Sequence, residues 1–240
     1  MNVADPESSR SPERSRVARM FSGIAARYDR ANRILSLGRD VGWRRRLIER
    51  AAPQPGEIVL DVCTGTADLV RDFLNTDPSL EVYGVDFARP MLTVGQAKLR
   101  GQASAAILLE GDALRLPFAD ASVDVVSIAF GLRNLTDFRA GIDEMSRVLR
   151  PGGRLMILEF AAPPSTLVRT LYFPYLRHIL PRLGGWVTGD RSAYAYLDET
   201  IRAFPAPEAV AHMMAASGLD DVTHERLAMG VAVLHRGVRA

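Results

Sequence analysis

Cysteine is almost absent from this chain: Cys63 is the only one in 240 residues. No intrachain disulfide can form, which excludes a disulfide-stapled scaffold and suits the cytosol. Long apolar runs are absent too. No stretch reaches the roughly 18–20 residues needed to cross a bilayer. Met1 to Ser15 is polar, charged and rich in proline and serine. It lacks the apolar segment of a signal peptide, and residues 1–16 are expected to be a disordered tail. Histidine is scarce: His178, His212, His224 and His235 are scattered along the chain. No metal-ligand spacing results, and no metal is expected. There is no zinc-finger or RNP-type signature, so no nucleic-acid partner is expected.

What is present fits one substantial core. Hydrophobic residues make up 48% of the chain, enough for a single domain with extensions. The net charge is only +2 but is unevenly spread, with twelve arginines against six acids between Met1 and Arg50. That excess is either a solvated basic face or an attraction to an anionic surface.

Along the chain, Val17–Ala26 and Asp40–Ala52 read as helices, the second stopped by Pro53 and Pro55. Strand and helix signals then alternate. Glu57–Val62, Glu81–Asp86, Ala106–Glu110, Val123–Ala129 and Arg154–Phe160 read as strands, with helices at Ala67–Asn75, Arg89–Leu99 and Phe138–Leu149. Pro151-Gly152-Gly153 ends the last of these helices. Such alternation predicts an α/β domain with a mostly parallel sheet. Val222–Arg226 and Val231–His235 are expected to add an antiparallel pair at one edge. The domain is expected to run over 17–240, with a helical cap at 17–52. Residues 163–204 read as a helical lid whose apolar and aromatic side chains are dotted with arginine. That segment is either packed on the sheet or a lipophilic, membrane-contacting cover, and the two are compatible.

The central motif is Leu60 to Asp68, in which a strand enters a tight turn and then a helix. It is neither a G-x-G-x-x-G fingerprint nor a P-loop, since it has one glycine and no following Gly-Lys. An adenosyl ligand without phosphates needs less anion-binding machinery. Gly65 allows close backbone approach, and Asp61, the Thr66 hydroxyl and the turn amides can meet an amino-acid moiety. Asp86 lies 21 residues past Gly65, where an acid at a strand end holds a ribose diol. Asp112 and Ala113 follow the third strand and are placed to meet an adenine. Each aspartate alone could be a helix cap or turn former. Three at successive strand ends point to a nucleotide site.

With these motifs the chain resembles the UbiE/MenG family of ubiquinone and menaquinone C-methyltransferases, from about Met20 to the end. The resemblance rests on Met20-Phe21 through Tyr28-Asp29 and Asn32, Ser36-Leu37-Gly38, Trp43-Arg44, Asp61 to Asp68, Phe130 to Asn134, Glu144 to Phe160, and Tyr196 to Ile201 with Phe204-Pro205. Ala67 stands where ubiquinone-type members usually have glycine, and the Cys63-Thr64-Gly65-Thr66-Ala67-Asp68 form looks closer to menaquinone-type members. Ala129 stands where some relatives carry a cofactor-contacting serine, so that contact does not carry over.

The resemblance implies a class I methyltransferase fold, a Rossmann-like seven-stranded sheet with a helical lid. It implies S-adenosylmethionine as donor and a polyprenylated quinol as substrate, demethylmenaquinol before a benzoquinol. Methylating a ring carbon requires a phenolate, because its charge spreads to the ortho carbon. Arg133 would stabilise that phenolate and Asn134 would hold a ring oxygen. Tyr28, and Tyr194 or Tyr196 from the lid, would line the site; ordinary half-buried packing is the alternative for each. A structural salt bridge is the alternative for Arg133. Cys63 reads as a small buried side chain. A cytoplasmic protein touching the inner face of an anionic membrane fits the lipid substrate. Whether it forms a homodimer is left open. A small-molecule methyltransferase, a non-catalytic cofactor-binding protein and a nucleic-acid methyltransferase are the rival classes.

Overall fold

A computed structural model describes residues 29, 32–33, 36–101, 106–179, 182 and 192–240, with backbone alone at 192–195. The expected helix at Val17–Ala26 lies outside the described residues. So do Tyr28, the side chain of Tyr194 and most of the lid between residues 180 and 191.

Seven strands form one sheet in the order β3-β2-β1-β4-β5-β7-β6. They are β1 (Ile58–Val62), β2 (Glu81–Asp86), β3 (Ala106–Glu110), β4 (Val123–Ala129), β5 (Leu149–Phe160), β6 (Leu219–Leu227) and β7 (Ala232–Arg239). The first five run parallel, and β7 lies antiparallel between β5 and β6. The central strands are runs of branched apolar residues because both sheet faces are covered. Strand alternation then sorts them. Val59, Val125, Met156 and Leu158 face one core, with Trp43, Leu47 and Phe73 from the covering helices. Leu60, Val62, Val126, Ile128, Leu155 and Ile157 face the other, with Ile142 and Met145.

Among the described residues the main helices are α1 (Asp40–Ala51), α2 (Asp68–Thr76), α3 (Arg89–Lys98), α4 (Phe138–Val148), α5 (Thr166–Pro174), α6 (Ser192–Ala203) and α7 (Pro207–Ala216). The side chain of Asp137 caps α4 by accepting from the Ala140 N–H, satisfying one of the free donors of its first turn. A π-helical turn at Tyr175–Ile179 continues α5 past Pro174.

Two features differ from the sequence reading. β5 begins at Leu149 rather than Arg154, because Pro151-Gly152-Gly153 forms an irregularity within a strand instead of a turn before it. Its pairing with β4 shifts between Val123↔Leu149 and Val125↔Arg154, and Gly152 takes φ +79°, a conformation glycine adopts without cost. The helix α7 has no counterpart in the sequence reading. It starts at Pro207, which suits a first helical turn, and buries Val210 and Met214.

Candidate active site

The chain leaves β1 toward β2 on one side, while β4 flanks β1 on the other. This reversal of strand order opens a crevice at the carboxyl ends, where ligands bind in open α/β sheets. Parallel registry aligns those ends: Val62 pairs with Val85 and Ile128, and Asp86 with Glu110. The turns that follow are therefore gathered around one cleft of about 280 Å³. It shares Cys63, Asp86 and Asn134 with a smaller recess of about 40 Å³ that reaches Gly65.

The turn after β1 is strained. Cys63, Gly65 and Ala67 all have positive φ, at 56°, 55° and 61°, and two of them pay the steric cost of a side chain there. Surrounding bonds hold it. The Thr64 N–H donates to the Val85 carbonyl at 3.0 Å, and the Gly65 N–H to Asp86 Oδ2 at 2.8 Å. Beneath the turn, Asp61 accepts from the hydroxyls of Thr64 (2.7 Å) and Ser127 (2.8 Å). Burial pushes the Asp61 carboxyl up to about 7, against the pull of those two hydroxyls. Burial also pushes the Cys63 thiol well above its ordinary range, and the neighbouring acids Asp86 and Asp61 add to the effect. A thiol kept neutral is inert. α3 packs closely behind the turn, where a Cβ on Gly95 would lie 3.0 Å from that of Ala67.

Asp86 and Asp112 line the cleft, as does Ala113. The other Asp86 oxygen, Oδ1, accepts from the Ala88 N–H at 2.8 Å. Burial raises its pKa against these backbone donors. Asp112 Oδ1 accepts from the Leu114 N–H at 3.0 Å. Asp61 and Thr66 lie behind the turn rather than on the cleft wall. Thr66 Oγ1 donates to Asp29 Oδ1 at 2.5 Å and accepts from Lys98 Nζ at 2.8 Å.

The same cleft is lined by Arg133 and Asn134, in a short 3-10 turn after β4. Phe130, at φ 58°, aims its carbonyl at both. It accepts from Arg133 Nη1 at 2.5 Å and from Asn134 Nδ2 at 3.3 Å. Arg133 also ion-pairs with Glu159 at 2.6 Å, so the structural salt bridge weighed for it is present alongside its place on the cleft. Two buried atoms here, Arg133 Nε and Asn134 Oδ1, have no hydrogen-bond partner. They are one donor and one acceptor on adjacent residues. An unpaired buried polar group costs about 1–3 kcal/mol, which a ligand that pairs it recovers. Tyr196, on α6, lines the same cleft. Tyr28 lies outside the described residues.

The ubiE/COQ5 methyltransferase family model matches residues 9–239. The chain belongs to that family. Among proteins similar to this methyltransferase, the demethylmenaquinone methyltransferase of Thermus thermophilus is 47% identical over 92% of this chain and the whole of that protein. The Deinococcus radiodurans protein of the same name is 45% identical over 90% of this chain and 89% of its own length. The ubiquinone/menaquinone biosynthesis C-methyltransferase UbiE of Pseudomonas paraeruginosa is 41% identical over 98% and 91%. The fold is the class I methyltransferase fold. Phosphoethanolamine N-methyltransferase 2 of Haemonchus contortus, solved with S-adenosylhomocysteine, superposes with a TM-score of 0.62 at 15% identity, over 82% of this chain and 52% of that one. The methyltransferase bound to the Trm112 activator of Haloferax volcanii superposes with a TM-score of 0.65 at 19% identity, over 91% and 96%.

Two residues that hold cleft residues or the turn beside them escaped the sequence reading. Glu159 is hidden inside an apolar strand, where its only signal is a charge among hydrophobic neighbours. Lys98, the only lysine of the chain, joins Thr66 to Asp68 (2.8 Å) and Asp29 (2.5 Å). Its signal was compositional: one lysine among arginines, at the end of the helix that packs on the turn.

Proposed function

We propose that this methyltransferase transfers the methyl group of S-adenosylmethionine to a ring carbon of a polyprenylated quinol, demethylmenaquinol being its substrate. The observation that carries the reading is the make-up of one cleft at the carboxyl ends of the strands. Two carboxylates suited to an adenosyl group, Asp86 and Asp112, line it. So do Arg133 and Asn134, whose buried Nε and Oδ1 are an unpaired donor and acceptor suited to a ring hydroxyl. The names of the relatives support the substrate class.

The donor fits these residues. Asp86 would hold the ribose diol, Asp112 and Ala113 the adenine, and the Gly65 turn the methionine end. Asp61 would brace the turn beneath that end through the Thr64 and Ser127 hydroxyls, and Thr66 would fix it through Lys98 and Asp29. When bound, S-adenosylmethionine supplies a methyl made electrophilic by its sulfonium, the C–S bond breaking as the ring carbon bonds to the methyl. The protein's task is to prepare that carbon. Asn134 Oδ1 accepts from the ring hydroxyl, whose oxygen accepts from Arg133 Nε. When the hydroxyl proton leaves to water, the guanidinium stabilises the phenolate. Arg133 itself stays protonated and takes no proton. After methyl transfer the ring carbon gives up its hydrogen as a proton, also to water, and aromaticity returns. Tyr196 forms part of the wall that orients the ring, and Tyr28 would close it from the N-terminal side.

The substrate's tail partitions into lipid, so the enzyme must reach a bilayer surface. α5 buries none of its residues. It exposes Leu167 and Leu171, 73% and 68% accessible, and Ile179 follows in the next turn. Between Ala161 and Gly189 there is no acid, while Arg169, Arg177 and Arg182 are interleaved. An apolar, basic face of this kind suits an anionic membrane. Among the described residues no helix is long and apolar enough to cross a membrane.

The 41% identity to a UbiE protein supports a second reading, in which a benzoquinol ring is also accepted. Purified enzyme with methyl-labelled donor, given reduced demethylmenaquinol beside the matching demethoxy-benzoquinol, tests both. Label in the naphthoquinol alone supports the first reading and label in both rings the second. Label in neither, with donor still bound, refutes both.

A further inference from the structure

Glu159 is the penultimate residue of β5 and is 1% exposed, a charge inside an otherwise apolar strand end. Burial at this position requires partners, and three donors converge on it. Glu159 Oε1 accepts from Arg133 Nη1 at 2.6 Å and from the Phe160 N–H at 2.8 Å. Oε2 accepts from the Arg133 backbone N–H at 3.2 Å. A carboxylate, with two acceptor oxygens and no N–H of its own, suits all three donors. Glu159 thus grips Arg133 at both its backbone and its guanidinium. The Phe130 carbonyl takes the same Nη1, and the Phe160 ring lies under the guanidinium at 5.5 Å. With Nη1 held toward the sheet, Nε is the buried nitrogen of the guanidinium left without an acceptor.

Resting on the quinol reading above, we propose that Glu159 is a positioning residue for ring methylation, acting through Arg133. It fixes the guanidinium so that Nε meets the ring oxygen. It also balances the buried positive charge, so that the cleft does not present an uncompensated cation to a cationic methyl donor. A guanidinium free to swing would still be charged but would no longer be aimed. Misplacement of about 1 Å costs roughly 100-fold in rate.

The test is a double-mutant cycle on the full-length enzyme with labelled S-adenosylmethionine and reduced demethylmenaquinol. Glu159→Gln offers one acceptor and turns an N–H₂ toward N–H donors, so it cannot reproduce the grip. Its kcat is expected to fall about 100-fold, while the calorimetric Kd for S-adenosylmethionine stays within about threefold. Glu159→Asp keeps the charge and is expected to recover part of the loss. On an Arg133→Met background, Glu159→Gln is expected to cause no further fall, because the residue it positions is gone. Multiplicative losses in the double variant, or near-wild-type kcat in Glu159→Gln, overturn the proposal. If Glu159→Gln does not fold, as read by its circular dichroism, the cycle is run with Glu159→Asp and judged by the same rule; a folded Glu159→Gln that has lost S-adenosylmethionine binding overturns the proposal. A wild-type enzyme that transfers no methyl to the quinol overturns the quinol reading, and this proposal with it.

Discussion

At the scale of single residues, the cleft depends on carboxylates that serve the backbone before they serve a ligand. Asp86 is the clearest. Its two oxygens fix the Gly65 and Ala88 N–H groups, so it shapes the strained turn and lines the cleft at once. Asp86→Asn keeps the size but replaces one acceptor oxygen with a donor facing an N–H. Hydrogen bonds to charged groups are worth about 1.5–3 kcal/mol, so affinity for S-adenosylmethionine is expected to fall about 10- to 100-fold. Calorimetric titration of wild type and variant measures this, and an unchanged Kd would remove Asp86 from the proposed ribose contact. The acid was legible in the sequence because its place, a strand end 21 residues past a glycine turn, has a physical meaning. Glu159 was not, because its partner Arg133 lies 26 residues earlier and only the β4–β5 pairing brings them together.

At the scale of elements, the sheet was readable and its exceptions were chemical. The bounds of β2, β3 and β4 coincide with the sequence reading, because buried parallel strands are short branched runs between turn residues. Pro151-Gly152-Gly153 misled because the same residue types make a turn or an irregularity within a strand. α7 escaped because an alanine-rich ten-residue segment has no strong apolar stripe. α5 is the element with the plainest consequence. Leu167 and Leu171 are one helical turn apart and so share a face. The double substitution Leu167→Glu with Leu171→Glu is expected to abolish flotation with vesicles containing phosphatidylglycerol at low salt. Methylation of a short-chain, water-soluble quinol analogue is expected to persist within about twofold, since both side chains point away from the core. Flotation retained by the double variant would contradict the membrane assignment for this helix.

At the scale of the whole molecule, stability and pH are linked through buried titratable groups. His235, in β7, is buried, with Nε2 3.0 Å from the Pro207 carbonyl at the start of α7. Burial depresses its pKa to about 4 from 6.5. The folded state thus resists protonation where the unfolded chain accepts it. The stabilisation is complete above pH 6.5 and is lost as pH falls from 6.5 toward 4. Its size is about 3 kcal/mol. Asp61 acts with the opposite sign, because its raised pKa makes the folded state retain a proton up to about pH 7. The His235 contribution must therefore be read as a difference. In urea unfolding, the stability gap between wild type and His235→Gln is expected to narrow by about that amount between pH 7 and pH 4. A gap that does not change with pH would refute the buried neutral imidazole.

The sheet and the helices that cover its centre were legible because they follow from apolar periodicity. The cleft was legible where its residues sit at strand ends, and at Tyr196 on α6 only through the family resemblance. What joins the two is the proposed reaction, in which the ring is nucleophilic only when it carries a hydroxyl that can ionise. The most direct measurement is therefore transfer of labelled methyl to demethylmenaquinol kept reduced by dithionite, beside the same compound fully oxidised. The account predicts label on the ring of the reduced form alone. Equal labelling of the oxidised form, which has no hydroxyl to give Asn134 and no phenolate for Arg133 to stabilise, would contradict it.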